Sequence, residues 1–141
     1  MKRVCIINGP NLNLTGKRET DIYGSETFEG LLVSLKDEFP GVEVLYYQSN
    51  IEGEIITKVQ EWGFNTEGII LNAGAYTHTS VGIGDAVRAI SAPVIEVHLS
   101  NILSREEYRH ISYIAPSAVG IISGFGLEGY RMALRYFAQR A

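Results

Sequence analysis

Five short apolar runs constrain this chain more than any other feature. Residues 2–8, 42–48, 67–72, 93–98 and 118–123 are rich in Val, Ile, Leu and aromatic residues, and several are apolar almost throughout. Uninterrupted runs of this length read as strands buried on both faces, as in a parallel sheet. Amphipathic helical spacing fills the intervals. Phe28, Leu31, Leu32, Leu35 and Phe39 form one stripe, which Ser25 can cap with Glu26 and Glu29 in the first turn. Ile55, Ile56, Val59 and Trp62 form a second stripe, closed by Gly63. A third helix ends near Ile90. A last one runs from Gly126 to the C-terminus, with Leu127, Tyr130, Met132, Ala133, Leu134 and Phe137 as its apolar positions. Residues 100–112 read as a polar loop with a short helical turn.

Strands alternating with helices predict an α/β fold, a doubly wound five-stranded parallel sheet covered on both faces. For this size the flavodoxin-like order 2-1-3-4-5 is expected. A chain of 141 residues suits one domain, residues 1–141, with no internal repeat or linker. The net charge of −4 argues against nucleic acid and anionic membrane as partners. No apolar run approaches the roughly 20 residues of a membrane span, and the first run breaks at Asn8, too soon for a signal peptide. The expected location is the cytoplasm. Cys5, the one cysteine, lies in the first strand and reads as a buried structural thiol.

Ligands of such sheets bind beyond the carboxyl ends of the strands, and polar residues gather there. The first strand exits into Asn8-Gly9-Pro10-Asn11, the third into Asn72-Ala73-Gly74, and the fourth into His98-Leu99-Ser100-Asn101. Glu96 and His98 are two apart on one strand and share a face. Glu96 can therefore orient the imidazole and leave the other ring nitrogen for a substrate. The same His can equally satisfy a buried acid. His78, in the loop after the third strand, is either a solvated or capping residue or a site residue. The residues after Asn8 form a loop of about fifteen residues, long enough to expect function. It reads as an active-site wall whose second half is a mobile lid. Within it Arg18 and Tyr23 are by default a solvated charge and a packing anchor. Together they also allow a base, because a guanidinium stabilises a phenolate. A phenol titrates near 10, so acting as a base near neutrality requires a shift of about 2–3 units, roughly 3–4 kcal/mol.

Other chemistries fit less well. Three His and one buried Cys lack metal-ligand spacing. Gly124, Gly126 and Gly129 match a dinucleotide fingerprint, but too little chain follows to supply the ribose-binding acid. These glycines read as a tight turn and close helix packing. No G-x-S-x-G elbow occurs.

Taken together, these segments resemble type II 3-dehydroquinate dehydratase. The resemblance rests on Ile7-Asn-Gly-Pro-Asn-Leu-Asn-Leu14 with Gly16-Lys-Arg-Glu-Thr-Asp-Ile-Tyr-Gly24, and on Leu71-Asn-Ala-Gly-Ala-Tyr-Thr-His-Thr-Ser80. Ile95-Glu-Val-His-Leu-Ser-Asn101, Arg105-Glu-Glu-Tyr-Arg109 and Gly126-Leu-Glu-Gly-Tyr130 continue it, so that it spans essentially the whole chain in order. The resemblance implies dehydration of 3-dehydroquinate to 3-dehydroshikimate through an enolate, in the shikimate pathway or in quinate catabolism, without metal, cofactor or Schiff base. It implies Tyr23 as base, Arg18 as its support, Asn11 as enolate stabiliser through an ordered water, and His98, held by Glu96, as acid. It gives Asn72, His78, Leu99, Ser100 and Arg109 as substrate contacts. Asp85 would reach a neighbouring subunit's site, in trimers assembled as a dodecamer. At Ile111 the chain departs from the family, which often carries a polar residue there. Two rival readings are a flavodoxin-like module binding a phosphate or flavin, for which a yellow preparation would speak, and an inactive paralogue. Retention of Tyr23, Arg18 and His98 together speaks against the second.

Overall fold

The computed structural model describes residues 1–16 and 26–140. Arg18, Tyr23, Ser25 and the second half of the long loop lie outside the described residues. Five strands form one parallel sheet: β1 (Lys2–Asn8), β2 (Val42–Gln48), β3 (Gly68–Asn72), β4 (Val94–His98) and β5 (Gly120–Ser123). Their order is β2-β1-β3-β4-β5, the expected doubly wound arrangement. Among the described residues, three α-helices connect strands, α1 (Phe28–Glu38), α2 (Glu52–Trp62) and α3 (Val81–Ala89); short 3-10 turns join β4 to β5, and a fourth helix, α4 (Glu128–Gln139), follows β5.

Alternation along β1 sorts the core. Val4 and Ile6 face α1 and α4, packing with Phe28, Leu31, Leu35, Tyr130, Leu134 and Phe137. Cys5 and Ile7 face α2 and α3, among Ile55, Val59, Ile83 and Val87. Burial pushes the Cys5 thiol up to about 12, so it is an inert apolar group. Lys2 Nζ donates to the carbonyls of Phe137 (3.2 Å) and Ala138 (3.1 Å), so the start of the chain holds the end of α4. No helix among the described residues is long and apolar enough to cross a membrane.

Local details correct the sequence reading in three places. Thr27 caps α1, its hydroxyl accepting from Gly30 N at 3.2 Å, in the role expected of Ser25. Gly63 closes α2 as expected, with an ordinary right-handed φ of −73°. A side chain is excluded there by packing, since a Cβ would lie 2.2 Å from Ile90 Cγ2. Met132 is only half-buried; the buried face of α4 is Gly129, Tyr130, Ala133, Leu134 and Phe137. The polar segment after β4 holds two short 3-10 turns, Ile102–Ser104 and Glu107–Arg109, where one was expected. The glycines after β5 do what was expected of them. Gly124 (φ +103°) and Gly126 (φ +58°) make the turn, and Gly129 lies against Ile122 and Val97.

Candidate active site

The parallel register brings the ends of β1, β3 and β4 to one edge. Asn8 pairs with Asn72, and Leu71 with Glu96. The loops after β1 and β3 pack backbone to backbone. Gly9 N donates to Asn72 O at 2.7 Å, and a Cβ on Gly9 would lie 2.3 Å from Ala73 O. Asn11 takes the left-handed region (φ 70°), and its N–H donates to Asn50 Oδ1 at 3.0 Å. Asparagine tolerates that conformation better than other side chains. Beneath the loops, the buried Tyr130 of α4 joins two strand exits. Its hydroxyl donates to Asn8 Oδ1 (2.7 Å) and accepts from Asn72 Nδ2 (2.9 Å). Asn72 Oδ1 in turn accepts from Gly74 N at 3.1 Å. This chain fixes the Asn72 amide at the floor of a cavity.

That cavity is walled by Asn11, Asn72, His78, His98, Leu99 and Ser100, with Arg105 and Arg109 on its cationic side. Glu96 is fully buried and His98 nearly so. Glu96 Oε2 accepts from His98 Nε2 at 2.5 Å. Nε2 therefore carries a proton, and Nδ1 is left for other chemistry. His78 Nδ1 donates to the Ile111 carbonyl at 2.7 Å. The two imidazoles lie nearly parallel, 6.1 Å between centroids. Burial lowers the pKa of His78, partly opposed by its bond to the Ile111 carbonyl. A neutral His78 keeps Nε2 as an acceptor. The family departure at Ile111 leaves this contact intact, because the partner is a backbone oxygen and the Ile111 side chain is exposed.

Two arginines add positive charge to the same cavity. Arg105 Nη1 donates to Ser100 Oγ at 3.3 Å. Arg109 Nε donates to Glu106 Oε2 at 2.7 Å, and its guanidinium lies 5.3 Å from the Tyr108 ring centroid. The Arg109 hydrogen bond holds the Glu106 carboxyl below its usual range, and the same bond raises Arg109. Among the described residues, no group of three or more His, Cys, Asp and Glu is placed to hold a metal ion.

Eight residues expected at the site thus converge: Asn11, Asn72, His78, Leu99, Ser100, Arg109 and His98 line the cavity, and Glu96 stands behind His98. Arg18 and Tyr23 lie outside the described residues. Asp85 is exposed on α3, paired with Arg88 at 2.7 Å, and does not line this cavity. Sequence reasoning missed Arg105, Ser112, Tyr130 and Asn50. Only Arg105 carried a readable signal, four residues before Arg109 in one polar segment.

Comparison with known proteins agrees along the full length. The family model described as dehydroquinase class II matches residues 2–138. A 3-dehydroquinate dehydratase of Caldicellulosiruptor bescii is 54% identical over 137 residues, covering 95% of this chain and 94% of the relative. The crystal structure of a type II dehydroquinase from Butyrivibrio crossotus is 48% identical with a TM-score of 0.91, covering 96% of this chain and 97% of that one. That of a type II dehydroquinase from Propionibacterium acnes is 35% identical with a TM-score of 0.93, covering 99% and 98%.

Proposed function

This chain belongs to the class II dehydroquinase family, and from that premise we propose that it removes water from 3-dehydroquinate to give 3-dehydroshikimate, with residues 1–141 as the single catalytic unit. The observation that carries the reading is the buried Glu96–His98 pair, at 2.5 Å, facing a cavity at the carboxyl edge of the sheet. Such a pair holds one N–H of the ring on the carboxylate, so that in the imidazolium form the second N–H, on Nδ1, is aimed into the cavity, as general acid catalysis requires.

Two groups divide the work. Tyr23 takes the proton from the carbon next to the ketone, and the C–H electron pair moves into an enolate. Arg18 favours the tyrosinate form by charge. Asn11 stabilises the enolate oxygen through a water. His98, as the imidazolium with Nε2–H on Glu96, then donates its Nδ1 proton to the departing hydroxyl, which leaves as water while the enolate electrons re-form the ketone and the new double bond. Ser100 and the backbone at Leu99 and Ser100 suit the substrate carboxylate, with Arg105 adding charge beside Ser100. His78, Asn72 and Arg109 suit the ring hydroxyls. No metal, cofactor or imine enters this chemistry.

Asp85 completes a neighbouring subunit's site in a trimer, four of which form a dodecamer acting in the cytoplasm. Its exposure on α3, away from this chain's own cavity, supports that placement. Asp85→Ala should weaken assembly or raise KM. An unchanged sedimentation profile with unchanged KM refutes the cross-subunit role.

The function is tested by mixing protein with 3-dehydroquinate alone and following the ultraviolet absorbance of the conjugated enone. The rise should persist with chelator and after borohydride treatment. A folded protein that produces no rise overturns the reading, and loss with borohydride points instead to a lysine imine.

A further inference from the structure

We infer that Ser112 is a positioning residue for the dehydration, acting through Glu96 to fix the His98 ring. The inference rests on the proposed function for its kinetic consequence and on geometry alone for the rest. Ser112 Oγ accepts from two backbone donors, Ile114 N at 3.1 Å and Ala115 N at 3.0 Å. A hydroxyl has two acceptor lone pairs and one proton. With both lone pairs engaged, the proton has one direction left, and Glu96 Oε1 lies there at 2.8 Å. Glu96 is fully buried, so its carboxyl depends on protein partners to hold its rotamer. Ser112 takes Oε1, which leaves Oε2 to accept from His98 Nε2. The orientation of the imidazole is thus set from a residue that does not line the cavity.

The neighbours of Ser112 make the same segment a strap across the site. The Ile111 carbonyl accepts from His78 Nδ1, and Tyr113 N donates to Thr77 O at 2.9 Å. The strap lies directly on α3, where a Cβ on Gly84 would fall 2.3 Å from Tyr113 O. Three consecutive residues therefore hold His78, Glu96 and the loop after β3. One segment thus bears on both cavity histidines: it accepts the Nδ1–H of His78 directly and, through Glu96, holds the acceptor of His98 Nε2–H.

The test uses Ser112→Ala, with Ser112→Thr as the rescue. Ser112→Ala should lower kcat about tenfold or more, the effect of one lost hydrogen bond to a charged group, with KM nearly unchanged. Ser112→Thr should restore most of the loss. In a Glu96→Gln background, Ser112→Ala should change kcat by less than about twofold, because the path through the carboxylate is already broken. A drop of equal size in that background shows that Ser112 acts only through local folding, and overturns the inference. A readout independent of turnover is the low-field proton of His98 Nε2–H, identified by its absence in His98→Asn. It should persist in Ser112→Thr and shift or vanish in Ser112→Ala. An unchanged resonance in Ser112→Ala overturns the inference whether or not the protein dehydrates 3-dehydroquinate. Wild-type inactivity, by contrast, defeats only the proposed function. If Ser112→Ala does not fold, Ser112→Cys, nearly isosteric with a weak donor, decides by the same readouts.

Discussion

Replacing Tyr130 with Phe removes one oxygen atom and strands two buried amides. The Tyr130 hydroxyl is fully buried and bridges Asn8 Oδ1 at 2.7 Å and Asn72 Nδ2 at 2.9 Å. Burial raises its pKa well above the usual phenol value, so the group is a neutral donor and acceptor at any working pH. Asn8 has no reserve. Its Nδ2 has no firm hydrogen-bond partner among the described residues, although the side chain interacts with the Tyr46 phenol. Solvent can replace little of the lost bonding, since Asn8 is 0% exposed and Asn72, at the cavity floor, 2%. Each buried polar group left unpaired costs about 1–3 kcal/mol. Two such groups put the destabilisation at about 2–6 kcal/mol, or roughly 6–20 °C in Tm for a chain of this size. The apolar contacts of the ring survive, including the edge-on packing against Phe28 at 4.9 Å. The Asn72 amide also loses its orientation at the cavity floor, so KM should rise. Thermal and urea unfolding at matched protein concentration measure the first effect, and steady-state kinetics the second. A Tm within about 1 °C of wild type and an unchanged KM refute the reasoning.

Two further predictions follow from the same edge of the sheet. Gly9→Ala places a Cβ against the Ala73 backbone at 2.3 Å, which no side-chain rotation relieves, so stability should fall by about 2 kcal/mol or more together with activity; wild-type unfolding and turnover contradict this. His78 has a lowered pKa, so below its unfolded value of 6.5 the unfolded chain binds the proton first, and stability should fall as pH drops through 6.5 towards the lower folded pKa. Urea midpoints at pH 7.5 and 5.5 should show a smaller drop in His78→Gln than in wild type, and an equal or larger drop in the variant refutes the assignment.

How much of this was legible depended on the distance over which a signal acts. The strands were readable because two-sided burial leaves few polar residues in them, and β1 and β2 have the bounds the apolar runs set. Their exits followed, so Asn72, His98 and the Asn8–Asn11 turn were placed without a structure. The Glu96–His98 contact followed from period two alone. Contacts between distant segments were not legible. Nothing in the sequence links Ser112 to Glu96, and nothing joins Tyr130 to Asn8 across 122 positions. The cap of α1 was misplaced by two residues because Ser25 and Thr27 offer the same chemistry and only the backbone path chooses. Gly63 closes α2 as the sequence suggests, but the reason no side chain fits there, Ile90 after α3, is a contact between distant segments.

The division of labour between a tyrosine base and a histidine acid is the centre of this account, and hydrogen exchange separates the two. Each variant is incubated with 3-dehydroquinate in deuterated water, and both deuterium entry beside the ketone and enone formation are followed by NMR. His98→Asn should still exchange the proton while dehydration falls by orders of magnitude, because the enolate forms and returns. Tyr23→Phe should lose both. Retained exchange in Tyr23→Phe with exchange abolished in His98→Asn would reverse the roles and contradict the account.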